Sequence, residues 1–359
     1  MNGAVRSLSP EPAHRIGLAH STGAGVQSTA MYLAACDGLI ERPDVCVFSD
    51  TGGEPQYVYD HLARLEAWGK ANNGPPIVRV STGVLHEDMF TKRSVSAPIW
   101  IRKPDGSMAP GGRWCTDKYK TQPITKFLRQ HFGVPRGCKT PTVRVALGIS
   151  TDERLRQKTS RDLWMVYTHP LLASYEEAGG LGWSRNKCRE YLDSKGWGDT
   201  PKSACAYCPF HSDELWAEVK ALDPSAFELA CDLDERARNG TRNQDEGGAT
   251  FFFHRSLIPL RDVTLPEYVP GAADGSVGCS PFSCPRDGSQ LSLLETTSEV
   301  LREVSQPGHP MTAPDRFTHT EADALRYERR HAEPSEHTDR GEPIPTLAEC
   351  EQDEKEDER

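Results

Sequence analysis

The chain has 359 residues, a length that suggests one large domain or two small ones. Its net charge is −10, but residues 332–359 hold 11 acidic and 3 basic side chains, so the body up to His331 is left near −2. A nearly neutral body excludes a wide basic clamp for nucleic acid, though not a local basic groove. No run approaches the ~18 apolar residues of a membrane span, and the N-terminus lacks an apolar secretion core.

Eleven cysteines without a secretion signal predict a reducing compartment, the cytoplasm, where cysteine pairs more often serve metal or redox chemistry than structural disulfides. Cys36 and Cys46 lie in apolar runs and read as small buried hydrophobes.

Residues 1–14 read as a disordered leader. Residues 15–20 (RIGLAH) form a short apolar run that ends in the loop 21–28 (STGAGVQS). That loop opens onto 29–36 (TAMYLAAC), which has helical periodicity. Residues 45–49 (VCVFS) predict the next strand, ending at Asp50. Residues 57–70 predict an amphipathic helix with Val58, Leu62, Leu65 and Trp68 roughly on one face. Further strands are expected at 77–80 and 142–149. Residues 83–113, rich in Gly, Pro and basic side chains, read as an irregular lid or substrate loop. From Trp183 to about Lys220 the pattern is helix, cysteine loop, helix. Residues 250–254 suggest one more short strand, and 289–304 suit one helix.

Strands alternating with helices predict an α/β fold, a doubly wound parallel sheet covered on both faces. The expected divisions are an α/β nucleotide domain over 15–182, a cysteine-containing helical extension over 183–285, and a mostly disordered acidic tail over 286–359. Ligands of such sheets sit beyond the carboxyl ends of the strands. Loops 21–28, 50–54 and 148–158 should therefore line one crevice.

Gly23 and Gly25 let the backbone approach a phosphate closely, and amides at a helix N-terminus attract anions. A plain tight turn between strand and helix is the other reading. The loop lacks the Gly-Lys-Ser/Thr ending of a Walker loop and does not match GxGxxG. STGAGVQSTAMYL followed by VFSDTGGEPQYVYDHL resembles the PP-loop and Asp-Thr-Gly segments of phosphoadenosine-phosphosulfate-reductase-like proteins, in the branch carrying a GGVQS version. That branch is related to the sulfur-mobilising enzymes of DNA phosphorothioation. The resemblance covers roughly Arg15 to Cys284 and implies a Rossmann-like PP-loop domain. It also implies that Gly23, Gly25, Gln27 and Ser28, with Ser21 at the loop's start, contact the phosphates of ATP. Asp50, Thr51 and Gly52 would flank the nucleoside. Gly23, Ala24 and Gln27 stand where the common pattern SGGxDS has Ser, Gly and Asp. In loop 148–158 the family places nucleotide- or sulfate-binding residues, here Gly148, Asp152 and Arg156. The same carboxylates and cations also suit a solvated helix start.

Cys205-Ala206-Tyr207-Cys208 is a CxxC compatible with a metal or cluster, a redox disulfide or a structural pair. Cys115, in RWCTDKYK with Pro123 downstream, resembles the segment that supplies cluster ligands in assimilatory adenylylsulfate reductases, whose second half-site is a downstream CxxC. The resemblance implies a [4Fe-4S] cluster on Cys115, Cys205 and Cys208, with Cys284 or Cys279 as fourth ligand or an open iron. Zinc on the three thiolates with His211 is the alternative. Lys118 and Lys120 sit where they would lower a thiolate pKa or hold phosphate. His254 and Arg255 allow a structural or a functional role.

The resemblance implies an ATP pyrophosphatase. It would adenylate a substrate oxygen with Mg²⁺ and release pyrophosphate, so that a sulfur nucleophile can displace AMP. Ser28, Asp50 and Lys118 are the residues expected to carry catalysis. The implied partners are a nucleic-acid acceptor, DNA or RNA, and a cysteine desulfurase or other sulfur donor, with no membrane partner. A phosphoadenosine- or adenosine-phosphosulfate reductase is the runner-up. Glu349-Cys350-Glu351 lacks the Gly-Leu-His those enzymes carry next. A non-catalytic nucleotide- or metal-binding regulator is the third reading.

Overall fold

A strand buried in the middle of a sheet must pair its backbone on both edges and pack its side chains on both faces. The strand β1 (Gly17–Thr22) meets both conditions, since all six of its residues are buried. In the computed structural model it lies at the centre of a five-stranded parallel sheet. The structure describes residues 16–89, 99–111, 115–172, 180–239 and 248–275, all within one compact unit. The leader 1–14 and the acidic tail lie outside the described residues.

Chain order runs from β1 into the helix α1 (Val26–Cys36), then β2 (Val45–Ser49), α2 (Gln56–Ala71) and β3 (Ile77–Val80). A short helix α3 (Leu85–Asp88) follows, then the strands β4 (Trp100–Arg102) and β5 (Met108–Pro110). A π-helical turn Thr116–Thr121 leads into α4 (Gln122–His131), β6 (Val143–Leu147), a 3-10 turn Thr151–Arg156 and β7 (Met165–Thr168). The chain then continues as α5 (Arg185–Ser194), α6 (Asp213–Leu222), α7 (Pro224–Asn239) and β8 (Thr250–Phe252).

The sheet order is β3-β2-β1-β6-β7, so the chain builds outward in one direction and then restarts on the other side of β1. Even-numbered residues of β1 and β2 face α1 and α2: Leu18, Cys46, Met31 and Leu65 share one cluster, and Phe48 packs with Val58 and Leu62 in another. The odd-numbered face meets α4 and its approaches. A side chain at Gly17 would collide with Phe132, and Ser49 Oγ donates to the Tyr119 carbonyl at 2.7 Å. Ten of the eleven residues of α1 are buried, with α2 on one side and α5 on the other.

Five elements depart from expectation. Residues 83–113 are not wholly irregular, because β4 and β5 form an antiparallel hairpin that β8 extends into a second sheet. β7 is a further strand at the edge of the sheet, partly exposed although it continues the apolar run 163–167 (LWMVY). The helices α4 and α7 were also missed, α4 because Pro123 reads as a breaker although at a helix start it costs no hydrogen bond. The small sheet is fastened by Asp234 of α7. Its carboxylate is fully buried and accepts the backbone amides of Phe253 at 2.7 Å and Leu260 at 2.8 Å while pairing with Arg238.

Two core histidines stay neutral at ordinary pH. Burial pulls the pKa of His20 down from 6.5 to about 4. It does the same to His61, which lies 3.0 Å from Thr29 Oγ1 and edge-on to Trp197. Above pH 6.5 these rings are neutral folded or unfolded and add no pH dependence. Below it the unfolded chain binds protons that the folded chain refuses, so stability falls until about pH 4. For His20 the loss is on the order of 3 kcal/mol. The urea midpoint should fall between pH 7.5 and pH 4.5, and by less in His20→Gln; an equal fall in both proteins would clear His20 of the effect.

Candidate functional site

The strand order reverses between β1 and β6, and ligands of open α/β sheets bind at the carboxyl edge beside such a reversal. The glycine loop leaves β1 there. Ala24 takes the left-handed backbone with φ +54°, a conformation that costs a residue with a Cβ about 1–2 kcal/mol. Its methyl is fully buried beside Phe48, Val58 and Leu62, which offsets part of that strain. Gly25 caps α1, and a side chain there would press on the Ser203 amide 3.3 Å away.

Ser28 closes the loop on itself. Its hydroxyl accepts from the Gly25 amide at 3.1 Å and donates to the Gly25 carbonyl at 3.0 Å. A phosphate would compete for that proton. Ser21 Oγ, at the end of β1, is buried and has no hydrogen-bond partner. Such an orphaned hydroxyl at the root of the loop suits an absent polar ligand.

Asp50 shapes the second loop. Its Oδ1 accepts from the Gly52 amide at 2.8 Å and the Tyr59 hydroxyl at 2.7 Å. Thr51 is fully buried, and its Oγ1 lies 3.1 Å from Cys205 Sγ. The Ala206 amide donates to the Gly53 carbonyl at 2.7 Å, and Ser203 Oγ donates to Glu54 at 3.1 Å. The cysteine loop is thus stitched to the Asp-Thr-Gly segment and passes beside the glycine loop.

The third loop follows β6. A side chain at Gly148 would sit 3.4 Å from Gln27 Cβ, so this loop packs directly on the start of α1. Gln27 contacts Glu153, Ser150 and Arg185. Asp152 accepts the Arg185 amide at 3.1 Å, and Arg156 is buried and paired with Glu153. Arg185 was not singled out in the sequence; its only signal was its place at the start of the helix after β7.

Cys115, Cys205 and Cys208 pack against one core with Tyr207, Trp216 and Phe253. Burial pushes the Cys205 thiol up, opposed by the charge of Lys120 and the hydrogen bond from Thr51. The cation beside the thiols is buried Lys120. Lys118, one of the expected catalytic residues, holds its ammonium 5.2 Å from the Tyr119 ring. Burial holds His211, the expected fourth zinc donor, neutral with a pKa near 3. The three thiols share one neighbourhood, the type of donor that a sulfur-ligated group needs. Among the described residues, however, no three donors close on a single ion. Cys279 and Cys284 lie outside the described residues. His254 pins its own turn, with Nδ1 2.6 Å from Ser256 Oγ and Nε2 3.2 Å from Asp213.

The join between the loops has no room to spare. A Cβ on Gly53 would lie 2.2 Å from the hydroxyl of Tyr207, itself buried without a hydrogen-bond partner. Gly53→Ala should cost about 1–3 kcal/mol, as overpacking does, read as a lower melting temperature. Adding Tyr207→Phe removes the clashing oxygen and should recover part of the loss. A double variant no more stable than Gly53→Ala alone would show that this contact is not the source.

Compared with family models, curated proteins and solved structures, the chain finds no match in any of the three.

Proposed function

We propose that the chain is an ATP pyrophosphatase that adenylates a substrate oxygen and prepares it for sulfur transfer, as its resemblance to PP-loop proteins implies. The observation that carries the reading is the 3.1 Å approach of Cys205 Sγ to Thr51 Oγ1. It puts a thiol loop against the segment expected to hold the nucleoside, beside the loop expected to hold the phosphates. Nucleotide chemistry and sulfur chemistry then share one crevice.

In this reading the substrate oxygen attacks the α-phosphorus, the bond to the β-phosphate breaks, and pyrophosphate leaves. Amides at the start of α1 and the hydroxyls of Ser21 and Ser28 stabilise charge on the phosphates, with Mg²⁺. A sulfur nucleophile then displaces AMP from the activated centre. The acceptor is a nucleic acid, and the sulfur comes from a cysteine desulfurase or similar donor. Cys115, Cys205 and Cys208 would hold a four-iron cluster, with Lys120 favouring the Cys205 thiolate. Such a cluster supplies, when bound, a place to carry sulfur.

The products separate this reading from a kinase-like or purely regulatory one. ATP incubated with protein, sulfur donor and nucleic acid should yield AMP and pyrophosphate; ADP and phosphate would sink the proposal. Ser28→Ala should weaken nucleotide binding roughly ten- to hundredfold, the loss of a hydrogen bond to a charged group. Cys205→Ser should keep nucleotide binding within about threefold yet abolish sulfur transfer.

The thiol assignment has its own test. Protein purified without oxygen should be brown and carry roughly four irons per chain. Replacing Cys205 and Cys208 together by Ser should bleach it. Colourless protein with one zinc would overturn the cluster and keep the three-thiolate site.

A further inference from the structure

Gln27 uses both ends of its amide. Its Oε1 accepts from Arg185 Nη1 at 2.8 Å, and its Nε2 donates to Glu153 Oε2 at 3.1 Å and lies 3.4 Å from Ser150 Oγ. Glu153 gives its other oxygen to Arg156, which is only 8% exposed. The carboxylate of Asp152 takes the Arg185 amide. Three segments distant in the sequence are thereby tied at one point: the start of α1, the turn after β6 and the start of α5. The tie brings the Arg185 guanidinium to the glycine loop and links it through Gln27 and Glu153 to Arg156.

A carboxylate at position 27 could still receive Arg185, but it has no N–H to give to Glu153. It would set a second negative charge about one hydrogen-bond length from the first, an unfavourable pair. The neutral, two-sided amide is therefore matched to its neighbours. The Gln27 carbonyl orients Arg185 through a neutral acceptor. Guanidinium forks in turn match phosphate oxygens in shape and charge.

We propose that Gln27 is a positioning residue that holds Arg185, and through Glu153 also Arg156, as a subsite for the outer phosphates of a nucleoside triphosphate. The subsite makes triphosphates rather than monophosphates the substrate class, and it binds the departing pyrophosphate. This rests on the reading of the glycine loop as a phosphate site.

Calorimetric titration with ATP, AMP and inorganic pyrophosphate tests it on the full chain, with thermal melts to verify folding. Arg185→Ala should weaken ATP and pyrophosphate roughly ten- to hundredfold, one charged hydrogen-bonding partner lost, and leave AMP within about threefold. Arg185→Lys, which keeps the charge but loses the fork, should fall between. Gln27→Asp should reproduce the Arg185→Ala pattern, because its carboxylate repels Glu153 and displaces the pair. AMP weakened as much as ATP, or all three ligands unchanged in the variants, would overturn the subsite while leaving the functional reading intact. Wild-type protein that binds neither ATP nor AMP would overturn both.

Discussion

Everything at the candidate site hangs from the burial of β1. A fully buried central strand must be paired on both edges, and in this chain the partners are β2 on one side and β6 on the other. Both pair in parallel, so the three strands deliver their following loops to the same edge of the sheet. The glycine loop, the Asp-Thr-Gly loop and the loop after β6 converge because the central strand leaves them no other arrangement. Their convergence is a consequence of backbone pairing.

Onto that edge the chain lays a second layer of constraint. The loop that carries Cys205 and Cys208 is bonded to the Asp-Thr-Gly segment through Gly53 and Ala206, and its approach to Gly25 and Gly53 leaves no space for side chains. The glycines there serve contact between two stretches of protein as much as access for a ligand. Ala24 adds to the picture. It holds the left-handed turn that a glycine would take at no strain, and its buried methyl is the compensation.

Several residues named from the sequence turn out to support the site's shape. Asp50 spends one oxygen on its own turn and on Tyr59. Ser28 bridges the amide and carbonyl of Gly25. Lys118 is turned to Tyr119, and its neighbour Lys120 is the charge that the thiols feel.

The central strands and their alternation with helices were legible in the sequence because burial on both faces leaves an unbroken apolar run, as at 45–49, and helices such as α2 repeat their apolar positions with a helical period. Glycines and thiols could be recognised as candidates because few residues share their conformational freedom or their sulfur. The helix α4 behind its proline and the β4–β5 hairpin could not, since their local patterns are weak and long-range pairing holds them. The joining of Cys205 to Thr51, of Gln27 to Arg185 and of Asp234 to Phe253 spans 154, 158 and 19 positions respectively. Contacts of that range leave no period in the sequence, and only the packed tertiary structure decides them.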